Sequence, residues 1–559
     1  MSARAARVGL VALAAALGLC GLRWGLPDAA RLRAFPTGRP DAETARRLEE
    51  SWRSLYKDIE ASHRELRSEE PVTYLRGSQV IEPGWTLPPP ALVNSYRSML
   101  LHSAHPDEKK SFIILSRMRA GDLRPLYIQY GGAFIYPLGA FLKAASLLGA
   151  FRTGDLGFYL QHPEEMARAY LCGRVFVLLG QLAAVLAIFE CGLLLGGPKT
   201  GLWAALLYAL CPLAIDNSHL IKPHAYSALC AAIALYWALR ALKTGLRRDF
   251  VLCGAAVGLA AGASLTLLPL AGLPLLVRWQ RRGALAPALQ GVGAALAVAF
   301  LSNPFVLIRP GDFAWETQIY PRKDLGLGLD LIGRLARSSV VELGAPFALL
   351  AAVSWALAWR RAGAPRLLAA AVLLGGAPLW LAFHGYVREP DGLRVFLALF
   401  PALALLGAAQ LARLRPPAAR LLLAFALTDA GLRSAALLSA MHADSGEGST
   451  RARAARWIDE NVPRGDSIGL ARLPEPESTP PFKLAERRLA LFDRPESLAP
   501  GQEPAYVVAD PQVLPAIGDW LGRGYERVQA FEPPHVSWAE VPEDSFVDRR
   551  IYVFKRRAG

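Results

Sequence analysis

Two adjacent acidic residues form the pattern in this chain with the clearest chemical potential. Asp107 and Glu108 end the string His-Pro-Asp-Glu at 105–108, in a polar stretch between the apolar segment Val8–Leu22 and a long series of further apolar segments. A carboxylate in such a loop can act as a general base toward an acceptor hydroxyl or amine, if partial burial raises its pKa. Alternatively, Asp107 is the N-cap of a helix that continues from Lys109. Residue types leave both roles open, and one Asp could serve both.

The elements that must position these acids are membrane helices. The chain has 559 residues, of which 53% are hydrophobic and 19% charged, and its mean hydropathy is +0.26. A chain this apolar, with polar blocks at 27–130 and 441–559, is typical of a membrane protein with extramembrane portions. Much of the net charge of +15 lies in short clusters between apolar runs, which indicates membrane topology and argues against nucleic-acid binding.

The apolar runs predict an α-helical polytopic fold with about 11 transmembrane helices. The candidate spans are 8–26, 169–195, 200–217, 225–243, 250–262, 264–278, 284–307, 341–359, 366–384, 394–412 and 419–440. With a cytoplasmic N-terminus, the inside loops receive the basic clusters at 240–248, 278–282, 360–366 and 413–420. The two spans between 250 and 278 are short, so we predict a hairpin with both ends inside. A cleaved signal peptide is disfavoured because no small-x-small site follows the first run.

The segment 131–151 is the ambiguous part of this topology. It is long enough to cross the membrane, but a crossing there would move every later basic cluster outside. We therefore predict a helix at the outer interface, anchored by Phe134 and Tyr136, with Lys143 facing water. Residues 27–168 then form one external loop that carries the acidic motif and interfacial helices, and residues 169–440 form the multi-helix membrane domain.

Residues 441–559 have the pattern of a small external α/β domain. An amphipathic helix around Ala452–Ile458 precedes further predicted elements, which are strand-like runs at Ser467–Leu470, Leu489–Phe492, Tyr506–Ala509 and Ile551–Phe554 and a helix-like stretch at Pro511–Leu521. We find no nucleophile–base constellation in this block. We therefore expect it to cover an external cavity and to select the acceptor, without performing chemistry.

A series of short motifs follows the acidic one in a defined order. They are Tyr-Gly-Gly-Ala-Phe-Ile-Tyr-Pro-Leu at 130–138, Arg174 in a long span, Ser-His-Leu-Ile-Lys-Pro-His-Ala-Tyr at 218–226, Gly-Leu-Ala-Ala-Gly at 258–262, Ser-Asn-Pro-Phe at 302–305, Arg-Val-Phe-Leu-Ala-Leu-Phe-Pro at 394–401 and Trp-Ile-Asp-Glu-Asn-Val-Pro at 457–463. Their order, spacing and membrane side resemble the GT-C superfamily of integral-membrane glycosyltransferases, of the protein-mannosyltransferase and aminoarabinose-transferase type. The resemblance implies a hexosyl or pentosyl transferase that uses a polyprenyl-phosphate sugar donor and a glycan, lipid or protein acceptor at the external, periplasmic face of a bacterial inner membrane.

Such a transfer needs a base and cations that hold the departing phosphate. We predict Asp107 as the base and Glu108 as its orienting partner or supporting acid. The candidate phosphate ligands at the outer face are Arg124, Lys222, Arg322, Lys323, Arg388 and Arg394, although each could instead contact lipid headgroups. Lys222 and Arg394 rank first because they match family motifs. The remaining predicted substrate-binding residues are His105, Tyr136 and His224.

Two departures from the family pattern keep alternatives open. The acidic motif usually follows the first helix closely, so Asp41 in Arg-Pro-Asp-Ala-Glu at 39–43 is a rival to Asp107. His224 stands where the external loop often carries an acid. A divalent metal held by Asp216, His219 and His224 is a further alternative, although this spacing is not diagnostic of a metal site. No cofactor is otherwise predicted.

A polytopic transporter or flippase of lipid-linked or small polar substrates is the main functional alternative. It should show inverted repeats and Gly/Pro-broken helices with buried polar residues at mid-membrane, whereas this chain concentrates polar residues at the predicted outer face. A membrane scaffold, the third class, would not need Asp107. Asp429 and Arg433, spaced i, i+4 in the last span, are expected to pair with each other.

Overall fold

The structure is a computed structural model that describes residues 2–36, 39–61, 75, 77–119, 121–125, 130–311, 329–383, 392–534, 539, 541 and 545–557. One apolar helix and a series of further helices precede the main bundle. They are α1 (Ala3–Leu19), α2 (Ala29–Leu32), α3 (Ala42–Ala61), α4 (Val93–Leu101), α5 (Glu108–Arg117), α6 (Gly132–Leu147) and α7 (Leu156–Gln161).

Apolar helices form the bundle that follows. They are α8 (Pro163–Gly196), α9 (Pro198–Ala209), α10 (Pro212–Ser218), α11 (Pro223–Thr244), α12 (Arg247–Ala263), α13 (Leu273–Arg281), α14 (Leu285–Ser302), α15 (Pro304–Ile308), α16 (Leu329–Leu343), α17 (Ala345–Ala358), α18 (Ala364–Phe383), α19 (Phe400–Leu411) and α20 (Pro416–Ala443). Several of them begin with proline, whose fixed φ suits the first turn of a helix and whose missing N–H would have no partner there. Short 3-10 helices at Leu265–Gly272 and Gly392–Leu399 complete the bundle.

Five stretches of the described chain are long and apolar enough to cross a membrane. They are Pro163–Gly196, Pro223–Thr244, Leu285–Ser302, Leu393–Leu411 and Pro416–Ala443. Helices α9 and α10 together would make a sixth span, bent by 65°. The protein is therefore a multi-pass helical membrane protein, as predicted, whereas the number of eleven spans stays a prediction.

The predicted hairpin between 250 and 278 is present as α12, the 3-10 helix at Leu265–Gly272 and α13. Arg281, at the end of α13, donates hydrogen bonds to the carbonyls of Leu242 and Lys243 at the end of α11 (2.8 and 2.9 Å). Because α12 begins only a few residues after α11 ends, both ends of the hairpin lie at the same end of the bundle. Close packing of α12 requires glycine, since a Cβ on Gly254 would stand 1.8 Å from the carbonyl oxygen of Gly291 on α14.

Helix α6 differs from the interfacial helix that the sequence predicts for 131–151. Phe134 is completely buried, so its predicted role as an interfacial anchor is wrong, whereas Lys143 is exposed as expected. The cause is close backbone approach at the start of the helix. A Cβ on Gly131 would stand 1.9 Å from the carbonyl oxygen of Gly262, and one on Gly132 2.0 Å from that of Ser302. The paired glycines therefore let α6 enter the bundle.

The C-terminal region forms a mixed sheet with two helices, α21 (Thr450–Asn461) and α22 (Leu514–Gly524). The strands are β1 (Ser78–Ile81), β2 (Ser467–Leu470), β3 (Arg488–Phe492), β4 (Tyr506–Ala509), β5 (Tyr525–Phe531) and β6 (Ile551–Arg556), in the order β1-β3-β2-β4-β6-β5. Strand β2 lies parallel to β3 and β4, and the outer pairings are antiparallel. The predicted strand-like runs correspond to β2, β3, β4 and β6, and the predicted second helix is displaced toward the C-terminus.

Strand β1 belongs to the first polar block, yet it pairs with β3 of the C-terminal block, from Ser78 opposite Phe492 to Ile81 opposite Leu489. Apolar side chains of the first block, including Phe35 and Leu100, share one buried cluster with Ile468 of the sheet. The two polar blocks, which the sequence suggests as separate domains, therefore form one folded unit. Since hydrogen-bonded strands cannot lie on opposite sides of a bilayer, both blocks occupy the same side.

Candidate active site

The predicted base lies among cations that come from distant parts of the chain. Asp107 Oδ2 accepts hydrogen bonds from Lys222 Nζ at 2.5 Å and from Arg394 Nη2 at 3.0 Å. Lys110 Nζ, one turn along α5, lies 3.1 Å from Asp107 Oδ1. The Asp107 side chain retains 22% exposure, whereas that of Lys222 is only 1% exposed. Three of the predicted site residues are therefore in direct contact, at a place where the carboxylate remains accessible.

The geometry separates the two interpretations of Asp107. It occupies the N-cap position of α5, but its side chain makes no capping hydrogen bond to the helix. The rival acid, Asp41, is exposed, and its Oδ1 accepts a hydrogen bond from the backbone N–H of Thr44 at 2.7 Å in the first turn of α3. Asp41 is therefore a helix cap, whereas Asp107 directs its carboxylate toward cations.

These cations also determine the acidity of Asp107. Burial by itself would raise the pKa of this carboxyl group, but the positive charges of Lys222, Lys110 and Arg394 outweigh burial and hold the pKa well below its ordinary value. The raised pKa that would favour the base role is therefore not present in the state that the structure describes. Asp107 is ionised here and, while its partners stay in place, a weak base.

Glu108 has a different environment from its neighbour. Arg174 of α8 makes a bidentate ion pair with it, at 3.0 and 2.6 Å, and both side chains are fully buried. The guanidinium also donates to the carbonyls of Leu22 and Trp24 after α1 (2.9 and 2.7 Å). The charge of Arg174 outweighs burial and lowers the pKa of Glu108. This arrangement fits the predicted role of Glu108 as an orienting partner, because it fixes the start of α5 to α1 and α8.

Two hydrogen bonds then place the loop that carries Lys222. The backbone N–H of Ile221 donates to Glu108 Oε1 at 3.0 Å, and Ser111 Oγ donates to the carbonyl of Ile221 at 2.9 Å. Successive turns of α5 thus hold both polar groups of the residue before Lys222. The buried ammonium group is thereby directed at Asp107, and this explains how two loops more than a hundred residues apart build one site.

Of the other predicted substrate-binding residues, His105 and His224 lie beside the Asp107 cluster, and Tyr136 contacts the segment that precedes Arg124. His105 Nδ1 accepts a hydrogen bond from the Asp107 backbone N–H at 3.2 Å. His224, in the first turn of α11, is close enough to Lys222, Arg394 and Asp107 to interact electrostatically. The Tyr136 hydroxyl donates to the carbonyl of Leu123 at 3.3 Å, beside Arg124. Three predicted cations fall outside the described residues, namely Arg322, Lys323 and Arg388.

Two supporting residues had no assigned role in the sequence-based site. Lys110 is separated from Asp107 by three positions on one helix, a spacing that places side chains together. Arg174 is a charge inside an apolar span, which is itself a signal of a buried partner. Another charge inside an apolar span, Arg433, pairs with Asp429 at 3.3 Å, and this confirms the pairing expected from their spacing.

The possible metal site receives no support within the described ranges. No group of three His, Cys, Asp or Glu side chains there is arranged to hold a metal ion. His219 Nδ1 lies 2.8 Å from the carbonyl of Ile215, and its Nε2 lies 2.9 Å from the carbonyl of Cys20. Both ring nitrogens of His219 therefore contact backbone oxygens, and the ring links α10 to the end of α1.

Comparison with solved structures finds similar chains at low identity. ArnT from Cupriavidus metallidurans bound to undecaprenyl phosphate has a TM-score of 0.45 and 14% identity, over 83% of this chain and 96% of that one. AglB from Archaeoglobus fulgidus, in complex with an inhibitory peptide and a dolichol-phosphate, has a TM-score of 0.38 and 12% identity, over 83% and 70%. The arabinofuranosyltransferase AftD from Mycobacteria has a TM-score of 0.39 and 16% identity, over 86% and 41%.

Sequence comparison finds one family model that matches part of the chain. Residues 169–307 match the family model described as dolichyl-phosphate-mannose-protein mannosyltransferase, and no curated protein matches the chain in sequence. The matched segment contains Arg174, the 218–226 loop with Lys222, and the glycine and Ser302–Phe305 motifs on which the resemblance rests. The resemblance to GT-C integral-membrane glycosyltransferases of the protein-mannosyltransferase type, predicted from the sequence motifs, is thereby confirmed.

Proposed function

We propose that this protein is a membrane glycosyltransferase that moves a sugar from a polyprenyl-phosphate-linked donor to an acceptor on the periplasmic face. Asp107 serves as the general base, and Lys222 and Arg394 bind the donor phosphate. The observation that carries the proposal is the meeting of these two cations on a single carboxylate oxygen. The family match supports a lipid-phosphate donor, because its description names a dolichyl-phosphate sugar.

The ion cluster has the properties of an anion site. A buried ammonium group such as that of Lys222 is costly unless an anion accompanies it, and here Asp107 supplies that anion. A phosphate monoester or diester would offer the same donors several charged oxygens, with room for bidentate contact by Arg394. Asp107 would thus occupy the place of a phosphate oxygen until the donor binds.

Donor binding should also raise the pKa of Asp107 and so make it a stronger base. When Lys222 and Arg394 turn to the phosphate, Asp107 loses two counter-charges and gains a negative neighbour, and both changes raise its pKa. The low pKa of the resting state is then a property of the donor-free site. The base becomes effective when the leaving group is in place.

The reaction then needs one displacement. An acceptor hydroxyl or amine gives its proton to Asp107, and its oxygen or nitrogen attacks the anomeric carbon of the sugar. The bond from that carbon to the phosphate oxygen breaks, and Lys222 and Arg394 stabilise the negative charge on the departing polyprenyl phosphate. The proposed contacts to the sugar and the phosphate of the donor also include His224, Tyr136 and Arg124.

A reconstituted assay tests this proposal. The full-length protein in nanodiscs is offered polyprenyl-phosphate-linked hexoses and pentoses with candidate acceptors, and release of free polyprenyl phosphate is measured. Asp107→Asn should reduce transfer by about 100-fold or more, the usual contribution of a general base. Asp41→Asn is the matched control, because it removes a carboxylate of the same polar block that caps α3.

Two results would overturn the proposal. Loss of transfer in Asp41→Asn, with Asp107→Asn active, would mean that the other acidic motif performs the reaction. Movement of the lipid-linked sugar across vesicle membranes without any release of polyprenyl phosphate would identify a flippase or transporter instead.

A further inference from the structure

The acidic motif receives a contact from the far end of the chain. Phe546, close to the C-terminus, packs against His105, with ring centroids 5.0 Å apart and ring planes inclined by 49°. We propose that Phe546 is a positioning residue for Asp107 that acts through His105. The inference rests on the proposed function, since it assigns the C-terminal region a part in the geometry of the same site.

His105 connects the two residues directly. Its Nδ1 accepts the backbone N–H of Asp107 at 3.2 Å, so a rotation of the imidazole ring would displace the base. Phe546 contacts this ring from the C-terminal region, and Trp24 meets it edge-on with a centroid distance of 6.4 Å. Aromatic contacts of this kind favour defined ring orientations. The orientation of His105, and with it the position of Asp107, therefore depends on Phe546.

Phe546 lies at a turn that several contacts hold in place. The guanidinium of Arg549 lies 4.4 Å from the centre of its ring, and Arg549 Nη1 donates to Asp510 Oδ2 at 3.0 Å after β4. Asp548 has a φ of +43°, a left-handed conformation that Asp tolerates better than most residues. Its Oδ1 accepts the N–H of Thr450 at 2.7 Å, at the start of α21. The turn is therefore fixed to both the sheet and the helix beside it.

An apolar cluster joins the same turn to both loops of the site. Val547 is buried with Ala104, which precedes His105, and with Ile215 and Leu220 near Lys222. Met441, at the end of α20, belongs to the same cluster. The C-terminal region, expected from its sequence to cover an external cavity and to select the acceptor, thus packs against the loop of the base and the loop of the phosphate ligand. Small displacements at such a site are costly, since a misplacement of about 1 Å can reduce a rate by about 100-fold.

Hydrogen–deuterium exchange tests the coupling without any knowledge of the substrate. The full-length protein in nanodiscs is compared with Phe546→Ala, with Phe546→Tyr, which keeps the ring, and with Phe554→Ala, a matched control on β6. We expect exchange in residues 103–110 to become about 10-fold faster in Phe546→Ala, because local opening becomes easier. In Phe546→Tyr and Phe554→Ala, exchange in residues 103–110 should be as slow as in the wild-type protein. Phe546→Leu keeps most of the side-chain volume and replaces the Ala variant if that protein does not fold.

Kinetics provide the second readout, with whichever polyprenyl-phosphate sugar the wild-type protein consumes. Phe546→Ala should lower kcat by about 10- to 100-fold and change the donor KM by less than about threefold, since Lys222 and Arg394 remain in place. The acidic limb of its pH–rate profile should also move, and Phe546→Tyr should restore both. In a His105→Ala background the Phe546→Ala substitution should have little further effect, as expected for residues that act through one another.

The outcomes separate this inference from the proposed reaction. Unchanged exchange at 103–110 in Phe546→Ala, or an equal effect of Phe554→Ala, would overturn the positioning role whatever the activity. Additive effects of Phe546→Ala and His105→Ala on kcat would also overturn it. Faster exchange in a protein that transfers no sugar would support the coupling and overturn the proposed reaction instead.

Discussion

The ammonium group of Lys222 donates to the carboxylate of Asp107 at 2.5 Å across a separation of 115 residues, from a side chain that is 1% exposed. A cation in this position needs an anion, and either the protein or a ligand can provide it. The contact therefore links the role of Lys222 as phosphate ligand to the role of Asp107 as base. When a phosphate binds Lys222, the charges around Asp107 change.

The first prediction concerns the phosphate ligands. Lys222→Ala and Arg394→Ala should each weaken use of the donor by about 1.5–3 kcal/mol, the range for hydrogen bonds to charged groups. This corresponds to an increase of roughly 10- to 150-fold in the donor concentration needed for half-maximal rate. Initial rates against donor concentration provide the measurement. Lys143→Ala, which removes an exposed lysine from α6, is the control and should behave as wild type. Unchanged donor dependence in both site variants would mean that these cations do not bind the donor phosphate.

The second prediction separates Glu108 from Asp107. Glu108→Gln leaves Arg174 buried without its charged partner, and such a change typically costs about 3–5 kcal/mol of stability. We expect a clear decrease in the Tm of the detergent-solubilised protein, with a smaller loss of activity per folded molecule than in Asp107→Asn. Glu190→Gln is the control, because its pair with Arg7 is partly exposed, with 34% and 42% of the two side chains accessible, and an exposed ion pair contributes little to stability. Equal Tm values for the two variants would contradict a structural role for Glu108.

The third prediction concerns pH and the turn that carries Phe546. Burial, together with the charge of Asp444, raises the pKa of Asp548 from 3.8 to about 7, and burial also raises that of Asp444. Thr450 and Arg451 face the pair and partly oppose this rise. The folded protein then binds more protons than the unfolded chain between about pH 4 and pH 7. Its stability is therefore fully present below about pH 4 and decreases as the pH rises toward 7, by up to about 1.4 kcal/mol per unit.

Substitution of Asp548 tests this linkage. Asp548→Asn keeps an oxygen for the N–H of Thr450 but cannot ionise. Its Tm should therefore depend less on pH between 4.5 and 7.5 and exceed that of the wild type at pH 8. Asp519→Asn, at an exposed position on α22, is the control. A wild-type Tm that rises across this window, or an unchanged slope in Asp548→Asn, would contradict the assignment.

The fourth prediction concerns membrane topology. Residues 27–168 and 441–559 should face the outside, and the basic loop at 240–248 the cytoplasm. In a cysteine-free background, Glu60→Cys and Pro500→Cys should react with a membrane-impermeant maleimide in intact cells. Gly245→Cys should react only after permeabilisation. The pairing of β1 with β3 requires the first two positions to behave alike, so labelling of one without the other would contradict the structure. External labelling at 245 would contradict the orientation.

Much of the architecture could be predicted from the sequence because it depends on local patterns. Apolar runs and basic clusters indicate a helical membrane protein, and short apolar runs between turns predict β2, β4 and β6 at their correct starting residues. The pattern after Asp107 predicts α5 for the same reason. Lys222 and Arg394 could be selected because their motifs resemble those of a family, although nothing local shows what they contact.

Only the tertiary structure decided which charges meet and which segments join. Glu108 and Arg174 are separated by 66 positions, and Ser78 of β1 and Phe492 of β3 by more than four hundred. Such pairings depend on how elements pack, and periodicity within one element carries no record of its partner. The pKa of Asp107 illustrates the consequence, since its burial alone predicts a rise and the cations brought by folding reverse it. The sequence by itself therefore determined the class of protein and its candidate groups, while packing across long separations determined their charge state and their positions.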